Sequence, residues 1–294
     1  MKVKKKIIVT GGCGFVGTNL ISLLLEKTKF EIISLDNYSS GTKKNHLKNS
    51  RIKYLKGNTV NISQLIKKGN KIEAVFHFGE FARIYQSFTN MNQCIESNSI
   101  GTNAVFNFCL KNKIKLIYSA TSASLGNKGD DKNLSPYAFT KSKNLELLEN
   151  LKKWFNFRYE VIYFYNVYGP HHISKGKMAT VIGIFEDHYK QKKKLPVVRP
   201  GTQTRRFTHI DDTVQICFLA WKKNLCRHYS IANKKSHSLI EVSKMFKSKI
   251  KLLPKRAGER YASALTNMNL SNKIYKHFGK INLKDYIKDF ILKN

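Results

Sequence analysis

An apolar run, Ile7-Ile8-Val9, leads straight into Thr10-Gly11-Gly12-Cys13-Gly14-Phe15-Val16-Gly17, and an amphipathic stretch from Phe15 to Glu26 follows. The pattern reads as strand, tight turn and helix. With no side chains at Gly11, Gly14 and Gly17, a pyrophosphate can approach the backbone and the helix amino end, where unpaired N–H groups favour negative charge. Asp36 closes a second apolar stretch, at the distance where a carboxylate can accept hydrogen bonds from an adenosine ribose. A carboxylate there repels a 2′-phosphate, so NAD is expected and NADP is not. The plainer alternative, a tight turn followed by an Asp capping a loop, loses ground because strand, glycines, helix and Asp occur together.

The rhythm continues. Strands are expected at Glu31 to Leu35, Ile52 to Leu55, Ala74 to Phe78, Ile114 to Ser119 and Tyr159 to Phe164. Helices are expected near Ile62 to Lys68, from Met91 to Lys111 and from Pro136 to Phe155. This alternation is βαβ winding and predicts an α/β fold, a Rossmann-type doubly wound parallel sheet over residues 1–170. After Gly169-Pro170 the rhythm changes. Helical stretches at Met178 to Gln191 and Asp212 to Lys223, short strands at Leu195 to Val198 and His228 to Ile231, and helical tail segments predict a smaller substrate-binding α/β lobe over 171–294, with room for the chain to cross back to the sheet. Ligands bind beyond the carboxyl ends of such strands, so residues that directly follow strands carry the most functional weight.

Composition narrows the partners. The 294 residues carry 53 Lys and Arg against 19 Asp and Glu, a net charge of +34 that on its own would suggest nucleic acid or another polyanion. The basic residues are spread along the whole chain, however, and Lys far outnumbers Arg, as base-composition bias in the gene would produce; nucleic acid is not the expected partner. Cys13, Cys94, Cys109, Cys217 and Cys226 are scattered with no paired spacing, which suits a reducing, cytoplasmic setting. His171 and His172 have no carboxylate or Cys cluster near them in sequence, and no metal is expected. No apolar run approaches the length needed to span a membrane, and no signal peptide is read at the amino end.

Tyr137-Ala138-Phe139-Thr140-Lys141 opens the helix expected from Pro136. Residues four apart share a helical face, so the Lys141 ammonium is expected to lower the tyrosine's ordinary pKa of about 10 toward that of a usable base. By itself this spacing is common in a chain rich in Lys and Tyr; its position after the fifth strand gives it meaning.

The glycine segment, followed by Leu35-Asp36-Asn37-Tyr38-Ser39-Ser40-Gly41, resembles the opening of nucleotide-sugar epimerases and dehydratases of the extended short-chain dehydrogenase/reductase family, and the resemblance runs along nearly the whole chain. It is nearest to enzymes like UDP-glucose 4-epimerase. It implies NAD contacts at Gly11, Gly14, Phe15, Val16, Gly17, Asp36, Asn37, Ser40, Asn58 and Thr59, with Asn58 standing where the family has an acidic residue. His77-Phe78-Gly79-Glu80-Phe81-Ala82-Arg83 resembles the family's cofactor-covering loop, which adds Phe78 and Gly79, and Glu80 is an unusual charge there. Asn98, Tyr137 and Lys141 complete the implied cofactor set.

Tyr118-Ser119-Ala120-Thr121-Ser122-Ala123-Ser124-Leu125-Gly126 is similar to the family's serine-rich segment after the fifth strand. Counting back from Gly126 puts the catalytic hydroxyl on Thr121, although Ser119 and Ser122 have comparable claims on composition alone. The resemblance therefore implies a catalytic set of Thr121, Tyr137 and Lys141. The 4,6-dehydratases of the family place Asp and Glu directly after the hydroxyl residue; Ser122 and Ala123 stand there instead, which also counts against a glucuronate decarboxylase. Tyr163-Phe164-Tyr165-Asn166-Val167-Tyr168-Gly169-Pro170 and the segment Gly201 to Asp212 resemble the family's substrate stretches, with Tyr163 in place of an Arg and Arg206 in place of an Asp. They imply substrate contacts at Asn166 and Arg205, and Arg256 joins them because arginine forks suit diphosphate oxygens.

The expected function is NAD-dependent epimerisation at C4 of a nucleotide-diphosphate sugar, a UDP-sugar first, by a homodimer paired through the helices near 91–111 and 136–155. Another NAD-linked reaction on a nucleotide sugar, such as 4-reduction or epimerisation elsewhere, stays open. So does a Rossmann protein that binds nucleotide or nucleic acid without catalysis, against which the joint presence of Thr121, Tyr137 and Lys141 argues.

Overall fold

The computed structural model describes residues 5–66, 71–258 and 274–294, with residues 126–131 described in backbone only. Eight parallel strands form one sheet: β1 (Lys6–Thr10), β2 (Glu31–Asp36), β3 (Ile52–Lys56), β4 (Ile72–His77), β5 (Lys115–Thr121), β6 (Tyr159–Phe164), β7 (His228–Ala232) and β8 (Ile274–Phe278). Their order across the sheet is β8-β7-β6-β5-β4-β1-β2-β3, and every neighbouring pair is parallel. From β1 the chain steps outward to β2 and β3, then returns to lay β4 on the other side of β1. The reversal opens a crevice at the carboxyl ends of β1 and β4, where a doubly wound sheet takes its ligand.

Both faces are covered, which is why the strands are apolar runs and β5 is buried throughout. One face packs Val105, Phe106 and Cys109 of helix Thr102–Lys111 and Leu148 and Leu151 of helix Pro136–Phe155 against Ile8, Val75, Leu116 and Val161. The other packs Leu20 and Leu24 of helix Phe15–Lys27 with Val214, Cys217 and Trp221 of helix Ile210–Lys223 against Ile7, Val9, Phe76 and Ile162. Strands Leu195–Val198 and Ile250–Leu253 pair in parallel away from the main sheet. A third core of Tyr168, Phe185, Phe207, Phe246, Leu283 and Ile287 lies with them, built largely from helices Val181–Lys190, Leu239–Met245 and Leu283–Leu292.

Several elements differ from expectation. The fourth strand ends at His77, which frees Phe78 for the loop. The helix expected from Met91 to Lys111 is three consecutive pieces, Met91–Ile95, a wide π-helical turn Glu96–Gly101, and Thr102–Lys111. The helix expected to Lys68 runs Ile62–Leu65, and residues 67–70 lie outside the described set. Strands Ile250–Leu253 and Ile274–Phe278 arise where only helical segments were expected, and the second forms the edge of the main sheet. Both carry a short apolar run too brief to distinguish strand from helix without a pairing partner. Among the described residues no helix is long and apolar enough to cross a membrane.

Candidate active site

A cleft of about 830 Å³ follows the carboxyl ends of β1, β4, β5 and β6 and continues under the smaller lobe. At its inner end Gly11 adopts φ +68°, and a Cβ there would lie 2.8 Å from the Phe78 carbonyl carbon. A Cβ at Gly17 would lie 2.1 Å from the Gly11 oxygen, so the first helical turn packs directly on the glycine turn. Gly14 is the N-cap of helix Phe15–Lys27 and supplies no side-chain cap, leaving the amino-terminal N–H groups of that helix for an outside acceptor. Asp36 ends β2 with its carboxylate fixed by two backbone donors, Cys13 N–H to Oδ2 at 2.9 Å and Tyr38 N–H to Oδ1 at 2.8 Å. Each oxygen retains a lone pair for a ribose hydroxyl. Phe15, Val16, Asn37, Ser40, Asn58, Thr59, Phe78 and Gly79 line the same stretch of cleft. A bare glycine turn, an uncapped helix start and a fixed carboxylate one strand away fit the pyrophosphate and ribose of a dinucleotide.

Asn98 does not line the cleft. The π turn carries it inward to full burial, where its side-chain oxygen accepts from Phe81 N–H at 2.6 Å and its amide donates to Phe81 O at 3.0 Å and Thr140 Oγ1 at 3.3 Å. It fixes the backbone of the loop after β4, the loop to which Phe78 and Gly79 belong.

The catalytic candidates meet where β5 ends. Ser135 caps helix Pro136–Phe155 by accepting from Ala138 N–H at 3.1 Å, with Pro136 in the first turn, and this sets Tyr137 and Lys141 on the face that looks into the cleft. Thr121, the last residue of β5, lines the cleft with Tyr137 and draws the pKa of that phenol down, while its own Oγ1 accepts from Ala123 N–H at 3.2 Å. Ser119 instead donates to the His77 carbonyl at 3.0 Å, and of the hydroxyls weighed by composition Thr121 is the one that acts on the tyrosine's pKa. The tyrosine's pKa is not lowered as expected but raised. Burial pushes the Tyr137 phenol up to about 12; Thr121 and Arg83 pull against that, and the Glu80 carboxylate adds to it. The Lys141 ammonium is engaged by Glu80 Oε2 and by the Ser119 carbonyl, and burial lowers its own pKa while Glu80 opposes the shift.

On the lobe side Asn166 lines the cleft and donates to Arg206 O at 3.3 Å. Arg205, on the short strand Thr204–Arg205, and Arg256, whose guanidinium lies 5.4 Å from the Tyr85 ring centroid, line the cleft as well. Glu259, which closes the short motif around Arg256, lies outside the described residues. Arg206 turns away and donates to the carbonyls of Asn233 and Lys234, tying this segment to the end of β7. Tyr163, which stands where the resembling family has an Arg, is buried in β6 with its hydroxyl 3.1 Å from His228 Nδ1. His172 pairs with Glu186 at 2.9 Å, and among the described residues no group of three potential ligands could hold a metal ion.

Among the cleft residues without an assigned role in the sequence is Arg83. Arg83 follows the β4 loop, donates through Nε to the Met178 carbonyl at 3.0 Å, and so bridges the sheet side of the cleft to the segment before helix Val181–Lys190. Its only sequence signal is a charge inside the loop stretch after His77.

The family model described as NAD dependent epimerase/dehydratase family matches residues 7–232, from the second residue of β1 to the end of β7. The chain belongs to that family: it is an NAD-dependent enzyme with a Rossmann-type sheet. It is similar to an ADP-L-glycero-D-manno-heptose-6-epimerase of Brachyspira hyodysenteriae, 29% identical across 82% of this chain and 80% of that protein. It is also similar to a putative UDP-glucose 4-epimerase of Methanocaldococcus jannaschii, 26% identical across 83% of this chain and 82% of that one. Among solved structures, the UDP-glucose 4-epimerase of Thermotoga maritima with UDP-glucose superposes with a TM-score of 0.83 at 22% identity, covering 98% of this chain and 97% of that one.

Proposed function

We propose that the enzyme epimerises a nucleotide-diphosphate sugar at C4 through a transient 4-keto sugar. The observation that carries the reading is the hydroxyl pair of Thr121 and Tyr137 at the end of β5, facing the glycine turn across one cleft, with Ser122 and Ala123 next in chain. Neither residue can do the acid/base work of eliminating water from the sugar. Among the described residues beside Tyr137, the carboxylate of Glu80 is tied up by Lys141, Tyr118 and Thr102.

NAD, when bound, supplies the hydride acceptor and donor. Tyr137 takes the proton from the sugar O4 as the carbon becomes a ketone and gives it back when the carbon is reduced again. Thr121 draws the phenol's pKa down against the effect of burial. Rotation of the ketone within the cleft presents its other face, and reduction there inverts the centre. Asn166 positions the sugar, and Arg205 and Arg256 hold the diphosphate. Asp36 receives the adenosine ribose, with Asn58 and Thr59 beside the adenine and Asn98 acting through the Phe81 loop.

Inversion at a carbon other than C4 is a second reading, supported by the named activity of the Brachyspira relative. The decisive experiment is incubation of the NAD-loaded enzyme with a panel of UDP-, dTDP-, GDP- and ADP-sugars, followed by NMR. Inversion at C4 with no net formation of NADH is expected. Inversion elsewhere would select the second reading, and no interconversion across the panel would remove both. We also propose a homodimer joined through the helical segments 91–111 and 136–155, where Met91, Ile100 and Phe139 are exposed.

A further inference from the structure

Arg83 is a cation in the cleft that the reaction as proposed does not use. It closes the loop after β4 as the N-cap residue of helix Ile84–Thr89, and it is half-buried. Its Nε and Nη2 both donate to the Met178 carbonyl, the first at 3.0 Å, and Nη1 donates to the Ala82 carbonyl at 2.7 Å. A guanidinium carries five N–H groups, so these bonds leave one on each terminal nitrogen for a further acceptor. Both carbonyls are neutral, and among the described residues no carboxylate forms an ion pair with Arg83. A cation drawn out of water without a counter-charge is costly, and a ligand that brings the negative charge offsets that cost.

The carboxylates that line the cleft among the described residues are engaged elsewhere. Asp36 stands at the ribose end, held by the N–H groups of Cys13 and Tyr38, and Glu80 is bound to Lys141. The place of Arg83 indicates which part of a ligand it would meet. One turn along the same helix, Ser87 Oγ accepts from Tyr137 N–H at 3.3 Å, so the helix is tied to the backbone of the residue that handles O4. Two residues from Arg83, the Tyr85 ring carries the Arg256 guanidinium 5.4 Å from its centroid. In a nucleotide sugar the hexose ring occupies the interval between O4 and the diphosphate, and Arg83 lies along that interval. Met178 brings the lobe wall to the same level, and Lys177, next to it in the chain, lines the cleft as a further cation.

We propose that the sugar carries its own negative charge: the substrate is a nucleotide-diphosphate hexuronic acid, and the Arg83 N–H groups not given to Met178 and Ala82 hold its carboxylate while Arg205 and Arg256 hold the diphosphate. Arginine suits this task because its planar fork binds a carboxylate through two nitrogens at once. A neutral hexose, or an N-acetylated one, offers hydroxyls and an amide carbonyl, which would leave the guanidinium charge uncompensated. The inference rests on reading the cleft as a nucleotide-sugar site and deepens that reading by naming the class of sugar.

The test is calorimetric binding to the NAD-loaded enzyme, at fixed ionic strength, of two matched pairs: UDP-glucuronate against UDP-glucose, and UDP-galacturonate against UDP-galactose. In at least one pair the acid is expected to bind wild type about tenfold or more tightly than its neutral partner. In Arg83→Gln, which removes the charge, that preference is expected to shrink to about twofold or less. Taking the ratio within one protein cancels any loosening of the cleft caused by loss of the Met178 bond, and it separates Arg83 from the general positive charge of the chain. Should that variant fail to fold, Arg83→Lys decides: it keeps a cation beside the Met178 carbonyl but has no fork, and the preference is expected to fall several-fold. An acid bound no better than its neutral partner by wild type, a preference that survives the substitution, or no binding of any of the four sugars overturns the proposal. Binding is read without turnover, so the two readings fail separately. An acid preference that depends on Arg83, without inversion at C4, would remove the epimerase assignment and leave the role of Arg83 standing. Inversion of neutral sugars at C4 with no acid preference would do the reverse.

Discussion

At the scale of the residue, the site depends on what burial does to titratable groups. Tyr137 is pushed up to about 12, so its phenolate is scarce at neutral pH and turnover should rise with pH across the alkaline range. Tyr137→Phe should fold normally and lose about 10²–10⁴-fold in kcat on the true substrate, as measured by NMR turnover beside circular dichroism. His77 is fully buried between two threonine hydroxyls, and burial lowers its pKa to about 4 from the ordinary 6.5. Its folded value lies below its unfolded one. The stability it confers is therefore complete above about 6.5 and is lost as pH falls toward 4, because only the unfolded chain takes the proton readily. Between pH 7 and pH 5 wild type should lose about 2 kcal/mol from this residue, and urea unfolding of His77→Asn should show a correspondingly flatter pH dependence. The identities of these residues were legible in the sequence, but their charge states were not. The Tyr137–Lys141 spacing announced an activated tyrosine, and the fold pairs the Lys141 ammonium with Glu80, 61 positions before it.

At the scale of the element, the glycine turn and its helix act as one unit. Gly17 is the tightest point, because a Cβ there would overlap the Gly11 carbonyl and neither atom belongs to a flexible side chain. Gly17→Ala should cost about 1–3 kcal/mol in denaturant unfolding. It should also weaken NAD binding about tenfold or more in calorimetry, since the helix start must move off the turn. Unchanged NAD affinity would mean that the pyrophosphate does not rest there. Most strands and the helix Pro136–Phe155 were readable because apolar runs and a proline at a helix start are local signals. The π turn at Glu96–Gly101 was not, since its register follows from the close approach of Gly101 to Thr59, a contact across 42 positions.

For the whole molecule, charge and assembly matter most. The net charge of +34 and the arginines lining the cleft should draw in a dianionic diphosphate, so KM for the nucleotide sugar should climb several-fold between low and high salt while kcat changes little. Steady-state kinetics across a sodium chloride series checks this; a salt-independent KM would show that the charge plays no part in substrate capture. Under the dimer proposal, Phe139→Glu should shift the mass in light scattering to that of one chain, whereas wild type already measured as a monomer would refute it.

By itself the sequence determined the winding of the sheet, the cofactor and the family, because a glycine turn after a strand, an Asp one strand later and a Tyr-x-x-x-Lys helix start are constraints carried within short stretches of chain. Only the tertiary structure decided that β7 and β8 rejoin the main sheet and that Arg83 binds the Met178 carbonyl across the cleft. It alone gave Asn98 to the Phe81 loop, and Lys141 to Glu80. The reason is the same each time: burial makes a polar group seek whatever partner the fold brings within about 3 Å, and sequence spacing does not say which partner that will be.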